Sequence, residues 1–390
     1  MNIIYSSRTR GVGAESVHIA GISRAFEGLG HEVFFESPSD IDPGSDPYRE
    51  KSGLAFFWKI LAGKLPRLLF EFSELAYNVF GWLRISRRLR SGKFGLVYER
   101  HAFFLCATAF VAQKYGIPLV VEVNEIVGDE RVRNQPVLSS LATWCDRKLF
   151  ERASLIVVVS PYLKRQIMKR HGIAGEKIEV HCNAVDNVKM EQCPDVDRFI
   201  RDFDLRGKFN LGFVGWFVQW HRLDILVEVF ARLCNDLPEL KANLLLVGNG
   251  PLGEQLVRQA ANLGITENVT FTGTVEHDRV PEALRAMDIA IIPHSNEYRS
   301  PVKLFEYMAQ ECAVAAPDTE PISMVIENGK NGMLFTPLDK EQMFRTFVRL
   351  ATDADLRVRM GRRARHDIES RYTWRHNARR ILGHLQGIES

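Results

Sequence analysis

Short apolar runs of strand length alternate with helical patterns through almost the whole chain, and the alternation starts again near the middle. Leu119–Asn124 and Ser154–Ser160 are such runs in the first half, and Leu211–Val214 and Ala242–Val247 in the second. Uninterrupted apolar strands are typical of parallel sheets that are covered on both faces by helices. A chain of 390 residues also exceeds what one hydrophobic core usually supports. We therefore predict an α/β protein with two doubly wound domains that face a central cleft.

The boundary between the two domains is predicted from a polar stretch rich in aspartate. This stretch, Ala184–Gly207, lacks the apolar periodicity of its surroundings and is interpreted as a linker. The predicted N-terminal domain spans residues 1–190, and the predicted C-terminal domain spans residues 206–370.

One turn in the second half has the features of an anion site. Ser300 and Pro301 precede an amphipathic run that starts at Val302, and serine followed by proline is typical of a helix start. Backbone N–H groups at a helix N-terminus bind phosphate. Lys303 has the wrong charge for this end of the helix dipole, so we expect it to face a bound phosphate. Glu306 follows three residues later on the same face, where a carboxylate can accept hydrogen bonds from the hydroxyls of a ribose.

The first strand is followed by a glycine-containing loop. Gly11 and Gly13 there allow a ligand to approach the backbone at the start of the first helix. The alternative is that the glycines serve the sterics of a strand-to-helix turn, and the sequence leaves both interpretations open.

Polar residues cluster where two strands of the first half end. Glu99, Arg100 and His101 end one predicted strand, and a helix is predicted to follow from Phe103 to Tyr115. Asn124 and Glu125 end the next strand. Ligands of open parallel sheets bind beyond the carboxyl ends of the strands. We therefore expect these side chains to contribute to a site, with His101 and Glu125 on its acceptor side.

Residues 54–92 are both aromatic and basic. Two interpretations are open: a peripheral surface that contacts anionic lipid or a lipid-linked acceptor, or helices that pack their aromatic face on the sheet. The first would place the protein at the inner face of a membrane.

Composition excludes several classes of function. A net charge of +3 is too small to indicate a nucleic-acid partner. The six cysteines form no CxxC pair and no Cys/His cluster, so we predict reduced thiols in a cytoplasmic protein with no metal site. The chain shows no signal-peptide pattern and no run of 18 apolar residues that would span a bilayer.

The order of motifs resembles that of the family four glycosyltransferases, which have the GT-B fold of two Rossmann-like domains. The segments that carry the resemblance are GVGAESVHIAGISRAFEGLGHEV, FVG, LLLVGNGP, VTFTGTV, MDIAIIP, SPVKLFEYMAQECAVAAPDTEPISMVIENGKNGMLF and RYTWRHNARRIL.

The resemblance implies transfer of a sugar from a nucleotide-diphosphate donor, with retention of anomeric configuration and without a metal or other cofactor. The donor would be held by the C-terminal domain and the acceptor, a sugar-containing or lipid-linked molecule, by the N-terminal domain. The final helix, within residues 371–390, would return to the N-terminal domain.

The same comparison implies a donor-binding set, which includes positions where this chain departs from the family pattern. Trp216 and His221 stand where the family commonly has arginine and lysine, and we predict that Arg222 and Lys303 replace that pair. Tyr298 stands where the first of two glutamates is expected, with Glu297 one residue away. Asn124 ends the strand that often ends in histidine in the family, and the resemblance implies catalytic roles for Arg222, Lys303 and Asn124. The complete predicted donor set is Gly215, Trp216, His221, Gly248, Val275, Tyr298, Ser300, Pro301, Val302, Lys303 and Glu306.

Two other functions fit the same fold. A nucleotide-sugar epimerase would need no acceptor, and a degenerate module would bind the sugar nucleotide without catalysis. A phosphorylase is disfavoured because no lysine site for pyridoxal phosphate is evident.

Overall fold

The computed structural model of the chain describes residues 1–8, 14–37, 67–128, 135–186 and 195–388. The chain divides into two compact units. The first comprises Met1–Cys182 and Trp374–Ser390, and the second comprises Asn183–Thr373. The helix that ends the chain is therefore part of the first unit, as the family resemblance implies.

The first unit is built on a parallel sheet of six strands. The strands are β1 (Asn2–Ser6), β2 (Glu32–Glu36), β3 (Leu96–Arg100), β4 (Leu119–Val123), β5 (Leu155–Val158) and β6 (Ile178–Val180). Their order in the sheet is β2-β1-β3-β4-β5-β6, so the chain reverses its direction of winding after β2. All paired strands run parallel, and β4 and β5 are buried along their entire length.

Helices cover this sheet and connect its strands. They are α1 (Ala14–Glu27), α2 (Arg67–Ser91), α3 (Ala107–Tyr115), α4 (Ser139–Arg152) and α5 (Pro161–His171). The last helix of the chain packs on α1 at Gly21, where an added Cβ would lie 2.2 Å from Nε1 of Trp374. Glycine at this position therefore makes the close approach of the two helices possible.

The second unit repeats the architecture with a second parallel sheet. Its strands are β7 (Phe209–Val214), β8 (Ala242–Val247), β9 (Val269–Gly273), β10 (Ile289–Ile291), β11 (Ala313–Pro317) and β12 (Met333–Phe335), in the order β12-β11-β10-β7-β8-β9. Its helices are α6 (Val196–Asp202), α7 (Leu223–Asp236), α8 (Gly253–Asn262), α9 (Val280–Arg285), α10 (Val302–Ala309), α11 (Glu320–Ser323), α12 (Lys340–Thr352) and α13 (Ala354–Arg371), and α14 (Trp374–Ile388) ends the chain. The two-domain α/β prediction is thus confirmed.

Two local predictions are wrong. The predicted linker contains α6, which buries Phe199 completely and belongs to the second unit. The helix expected from Phe103 begins only at Ala107, because Phe104 has a φ of 68° and Asn78 holds the turn. The Asn78 amide donates to the Phe104 carbonyl at 2.7 Å and accepts from the backbone N–H of Cys106 at 2.8 Å.

Candidate functional site

The carboxyl ends of β7 and β8 meet through two glycines. Gly215 has a φ of 148° and Gly248 a φ of 130°, both in the region that favours glycine. An added Cβ at Gly248 would lie 2.1 Å from the carbonyl oxygen of Gly215, and one at Gly215 would lie 2.7 Å from Nζ of Lys303. Glycine at these two positions leaves room for the backbone and for a ligand beside it.

Helix α10 is held against the end of β7 by its tyrosine. The Tyr307 hydroxyl is buried and accepts a hydrogen bond of 2.9 Å from the backbone N–H of Val214. This bond fixes the distance between the last residue of the strand and the first turn of the eight-residue helix. The free N–H groups at the start of α10 are therefore presented from a rigid base.

The turn before α10 is built differently from the prediction. Pro301 is the N-cap residue, and no side chain caps the helix, so Ser300 does not have the capping role that the sequence pattern suggested. Instead, the Ser300 hydroxyl accepts from the backbone N–H of Asn183 at 3.0 Å. The Asn183 amide donates to the Ser300 carbonyl at 2.6 Å. The turn is thus clamped by a residue more than a hundred positions away in the chain.

Lys303 lies in a mostly apolar niche at the start of α10. Its Nζ is 3.9 Å from the centroid of the Phe213 ring and 3.4 Å from Nε2 of His221. Desolvation lowers the pKa of Lys303 to about 7, and the nearby carboxylate of Glu306 offsets only part of this effect. A lysine whose charge is poorly compensated attracts an anion, because the anion restores the interactions that burial has removed.

His221 is neutral in this arrangement. Burial lowers its pKa to about 2, and the positive charges of Lys303 and Arg299 act in the same direction. Its ring contacts Phe213 at 5.1 Å between centroids. The sequence prediction that His221 lies with Gly215 and Lys303 therefore agrees with the geometry, although its binding role stays a prediction.

The other predicted cation has a partner of its own. Arg222 forms a two-pronged ion pair with Asp224, with contacts of 3.0 Å and 2.9 Å. This pairing neutralises its charge, so Lys303 is the stronger candidate for the diphosphate.

Sequence reasoning missed Arg299, whose guanidinium lies 5.4 Å from the ring of Trp220 and 5.2 Å from that of Tyr298. Its position directly before Ser300 is the signal that could have identified it.

The remaining donor-side residues differ in exposure. Glu306 and Val275 are half-buried, and Trp216 is 61% exposed. Tyr298 is buried, and its hydroxyl accepts from the Asn296 amide at 3.1 Å. Glu297 is exposed and accepts from the backbone N–H of residue 320 at 3.3 Å. Which of these two residues replaces the family's first glutamate stays a prediction.

In the first unit, His101 is enclosed by protein. Its Nε2 lies 2.9 Å from a carboxylate oxygen of Asp146, and both side chains are buried. Burial opposes the charged imidazolium, but the Asp146 carboxylate more than offsets this and raises the pKa of His101. This contact gives His101 a structural partner, and its predicted role toward an acceptor stays a prediction.

A buried carboxylate that the sequence pattern did not single out organises the end of β4. Glu122 accepts from the Tyr98 hydroxyl at 2.8 Å and from the Asn124 amide at 2.6 Å, and it pairs with Arg100 and His18. Burial opposes ionisation, but the charges of His18 and Arg100 hold the pKa of Glu122 below its usual range. Asn124 is thereby oriented at the strand end, and Glu125 beside it is half-buried.

Some predicted features lie outside the described residues. These are Gly11, Gly13 and the 54–66 part of the 54–92 segment. In the described part of the chain, no helix is long and apolar enough to cross a bilayer. No group of three His, Cys, Asp or Glu side chains among the described residues has an arrangement suited to a metal ion.

Two family models match the chain, one in each half. Residues 15–188 match the model described as Glycosyltransferase Family 4, and residues 208–353 match the model described as Glycosyl transferases group 1. The two matched segments follow the division of the chain into two units.

Curated relatives with similar sequences are named transferases. The alpha-D-kanosaminyltransferase of Streptomyces kanamyceticus is 22% identical over 295 residues, which are 72% of this chain and 74% of that protein. A D-inositol 3-phosphate glycosyltransferase of Streptosporangium roseum is 24% identical over 364 residues, which are 87% of this chain and 81% of that protein.

Among solved structures, HepE from Anabaena in complex with UDP has the same fold. The TM-score is 0.76, and the match covers 99% of this chain and 100% of HepE at 18% sequence identity.

Proposed function

The chain belongs to the family 4 glycosyltransferases of GT-B fold, and we propose that it moves a sugar from a nucleotide-diphosphate donor to an acceptor hydroxyl. The second unit would bind the donor. UDP is the first nucleotide to test because HepE, which shares the fold, was solved with UDP bound.

The observation that carries this proposal is the position of Lys303. Its desolvated ammonium lies at the N-terminus of α10, beside Gly215, where an added Cβ would meet it at 2.7 Å. The N–H groups of the helix carry partial positive charge and the lysine carries a full positive charge. Both stabilise a bound diphosphate. Glu306, one turn deeper, would accept hydrogen bonds from the ribose hydroxyls.

In this proposal the chain holds the reactants and stabilises the leaving diphosphate. Lys303, Arg299 and the amides of the α10 turn would stabilise the charge that develops as the bond to the sugar breaks. A retaining course, in which the leaving diphosphate helps to deprotonate the acceptor, would require no nucleophile from the protein. Removal of one such charge contact typically costs about 2–4 kcal/mol, or about 30- to 1000-fold in rate.

The epimerase and the non-catalytic module are not favoured. The two relatives described above are named as transferases, and their matches extend over most of this chain. An epimerase would consume donor without an added acceptor, so the requirement for an acceptor separates the two activities.

The surface of α2 bears on where the protein acts in the cell. Its exposed apolar side chains include Phe72 at 55%, Val79 at 62%, Phe80 at 61% and Leu83 at 60%. Arginines on the same helix would favour an anionic surface. We propose that the protein is cytoplasmic and that α2 makes peripheral contact with the inner face of a membrane. There it would act in carbohydrate biosynthesis on a lipid-linked acceptor.

The test is release of nucleoside diphosphate from a panel of UDP-, GDP-, ADP- and dTDP-sugars, each with and without a panel of sugar and lipid-linked acceptors. We expect release from one donor class that depends on an added acceptor. Binding of a donor without transfer to any acceptor would argue for the non-catalytic module. Release at the same rate without acceptor would argue against transfer.

A further inference from the structure

The guanidinium of Arg299 lies over two aromatic rings of the second unit. Its central carbon is 5.4 Å from the centroid of the Trp220 ring and 5.2 Å from that of the Tyr298 ring. A guanidinium within about 6 Å of an aromatic centroid is attracted by the negative charge on the face of the ring. Arg299 is therefore held by its sequence neighbour and by a residue that is far away in the chain.

Both aromatic residues are themselves anchored. The Tyr298 side chain is buried, and its hydroxyl accepts from the Asn296 amide at 3.1 Å. The Trp220 carbonyl accepts from Nδ1 of His294 at 2.8 Å, which ties the short 3-10 helix Gln219–His221 to the end of β10. Arginine has many rotamers in solution, and contact with fixed groups reduces their number before any ligand binds.

The ring contacts leave the positive charge of Arg299 in place. In the part of the chain that the structure describes, no carboxylate forms an ion pair with Arg299, whereas Arg222 is paired with Asp224. An aromatic ring has no net charge, so it orients a cation without neutralising it. The N–H groups at the edge of the planar guanidinium can then bind phosphate oxygens.

Arg299 and Lys303 belong to the same turn. Arg299 directly precedes Ser300, which Asn183 clamps, and Lys303 lies in the first turn of α10. Burial lowers the pKa of His221 to about 2, and the charges of Lys303 and Arg299 both add to this effect. The two cations thus act on one imidazole ring, and a ligand with two phosphates would meet both.

We propose that Trp220 and Tyr298 are positioning residues, whose rings hold the guanidinium of Arg299 ready to bind the diphosphate of the donor beside Lys303. In this arrangement the ring of Tyr298, and not its hydroxyl, contributes to donor binding. The inference rests on the proposed function, because it concerns how the same donor site is built.

The test compares leucine with phenylalanine at the two aromatic positions. Tyr298→Leu and Trp220→Leu remove a ring, and the conservative variants Tyr298→Phe and Trp220→Phe keep one. Each is also made in the background of Arg299→Gln, which removes the cation but keeps a polar side chain. The affinity of the full chain for UDP is measured by titration calorimetry, and urea unfolding shows whether each variant is folded.

Arg299→Gln should bind UDP about 10- to 150-fold more weakly than the wild type, as expected for loss of a charged hydrogen bond. Each leucine variant should bind UDP about 2- to 12-fold more weakly than the phenylalanine variant at the same position, because binding must then immobilise the arginine side chain. In the Arg299→Gln background this difference should disappear, since the rings act through the arginine. A merely structural role of the rings would leave the difference unchanged.

Equal UDP affinity of Tyr298→Leu and Tyr298→Phe would overturn the inference. A hydroxyl that contacted only the transferred sugar would give that result, because UDP lacks this sugar. A difference of the same size with and without Arg299 would overturn it as well. In both cases UDP binding to the wild type would leave the proposed donor site intact. If none of UDP, GDP, ADP and dTDP bound the wild type, the donor site would be refuted and this inference with it.

Discussion

Binding of a nucleoside diphosphate should be coupled to proton uptake by Lys303. Desolvation holds the pKa of this lysine at about 7 in the free protein, well below its ordinary value of 10.5. A bound diphosphate stabilises the ammonium and raises that pKa. At pH 8 about one tenth of the lysines are charged before binding, so binding should take up about 0.9 proton per site.

Because binding takes up a proton, the affinity for the nucleoside diphosphate should fall as the pH rises. The favourable charge pair is fully available below pH 7, where the lysine is already protonated. Above pH 7 the affinity should fall about tenfold for each pH unit, until the pKa of the complex is reached. The terminal phosphate contributes little to this slope, because its second pKa is about 6 and it is ionised throughout the window.

The assay is titration calorimetry with UDP at pH 8 in two buffers of different ionisation enthalpy, which gives the number of protons taken up. Lys303→Met should abolish the uptake and weaken binding about 10- to 150-fold, as expected for loss of a charged hydrogen bond. Lys303→Arg, which is charged at all these pH values, should bind without uptake. Uptake near zero in the wild type, or unchanged in Lys303→Met, would show that Lys303 does not gain a proton when the diphosphate binds.

Three further predictions concern stability and location. Gly248→Ala should lower the free energy of unfolding in urea by about 2–4 kcal/mol, because of the backbone clash and the positive φ. The control Gly264→Ala has a φ of 71° but no atom within 4 Å of the added Cβ, so a cost above about 2 kcal/mol there would argue against the clash. Tyr307→Phe should cost about 1–3 kcal/mol, because it leaves a backbone N–H at the end of β7 without its acceptor; an unchanged urea midpoint would contradict this. Replacement of Phe72 and Phe80 by serine should weaken sedimentation with vesicles of anionic lipid about tenfold or more, and equal sedimentation of variant and wild type would rule out the membrane contact.

The elements that the sequence predicted well are those whose pattern is local. The buried runs around Val121 and Leu245 are strands, because mostly apolar runs of that length leave few alternatives in a βα alternation. The approximate start of α10 at Val302 was also predicted correctly. Local periodicity thus gave both sheets and most of their helices.

The errors arise where residues distant in sequence decide the backbone. The turn at Ser300 is held by Asn183, and the late start of α3 is held by Asn78. Neither contact is visible in the local pattern. The buried Glu122 was concealed in an otherwise apolar strand, and its partners, such as His18, come from other elements.

The roles proposed for Lys303 and Glu306 require that the α10 turn binds a diphosphate. A crystal structure of the full chain with UDP would show where the diphosphate lies. We expect a diphosphate oxygen about 2.7–3.0 Å from Nζ of Lys303, the β-phosphate at the first N–H groups of α10, and a Glu306 carboxylate oxygen at the ribose hydroxyls. A nucleotide bound away from this turn, with Lys303 still enclosed between Phe213 and His221, would show that the α10 turn is not the donor site.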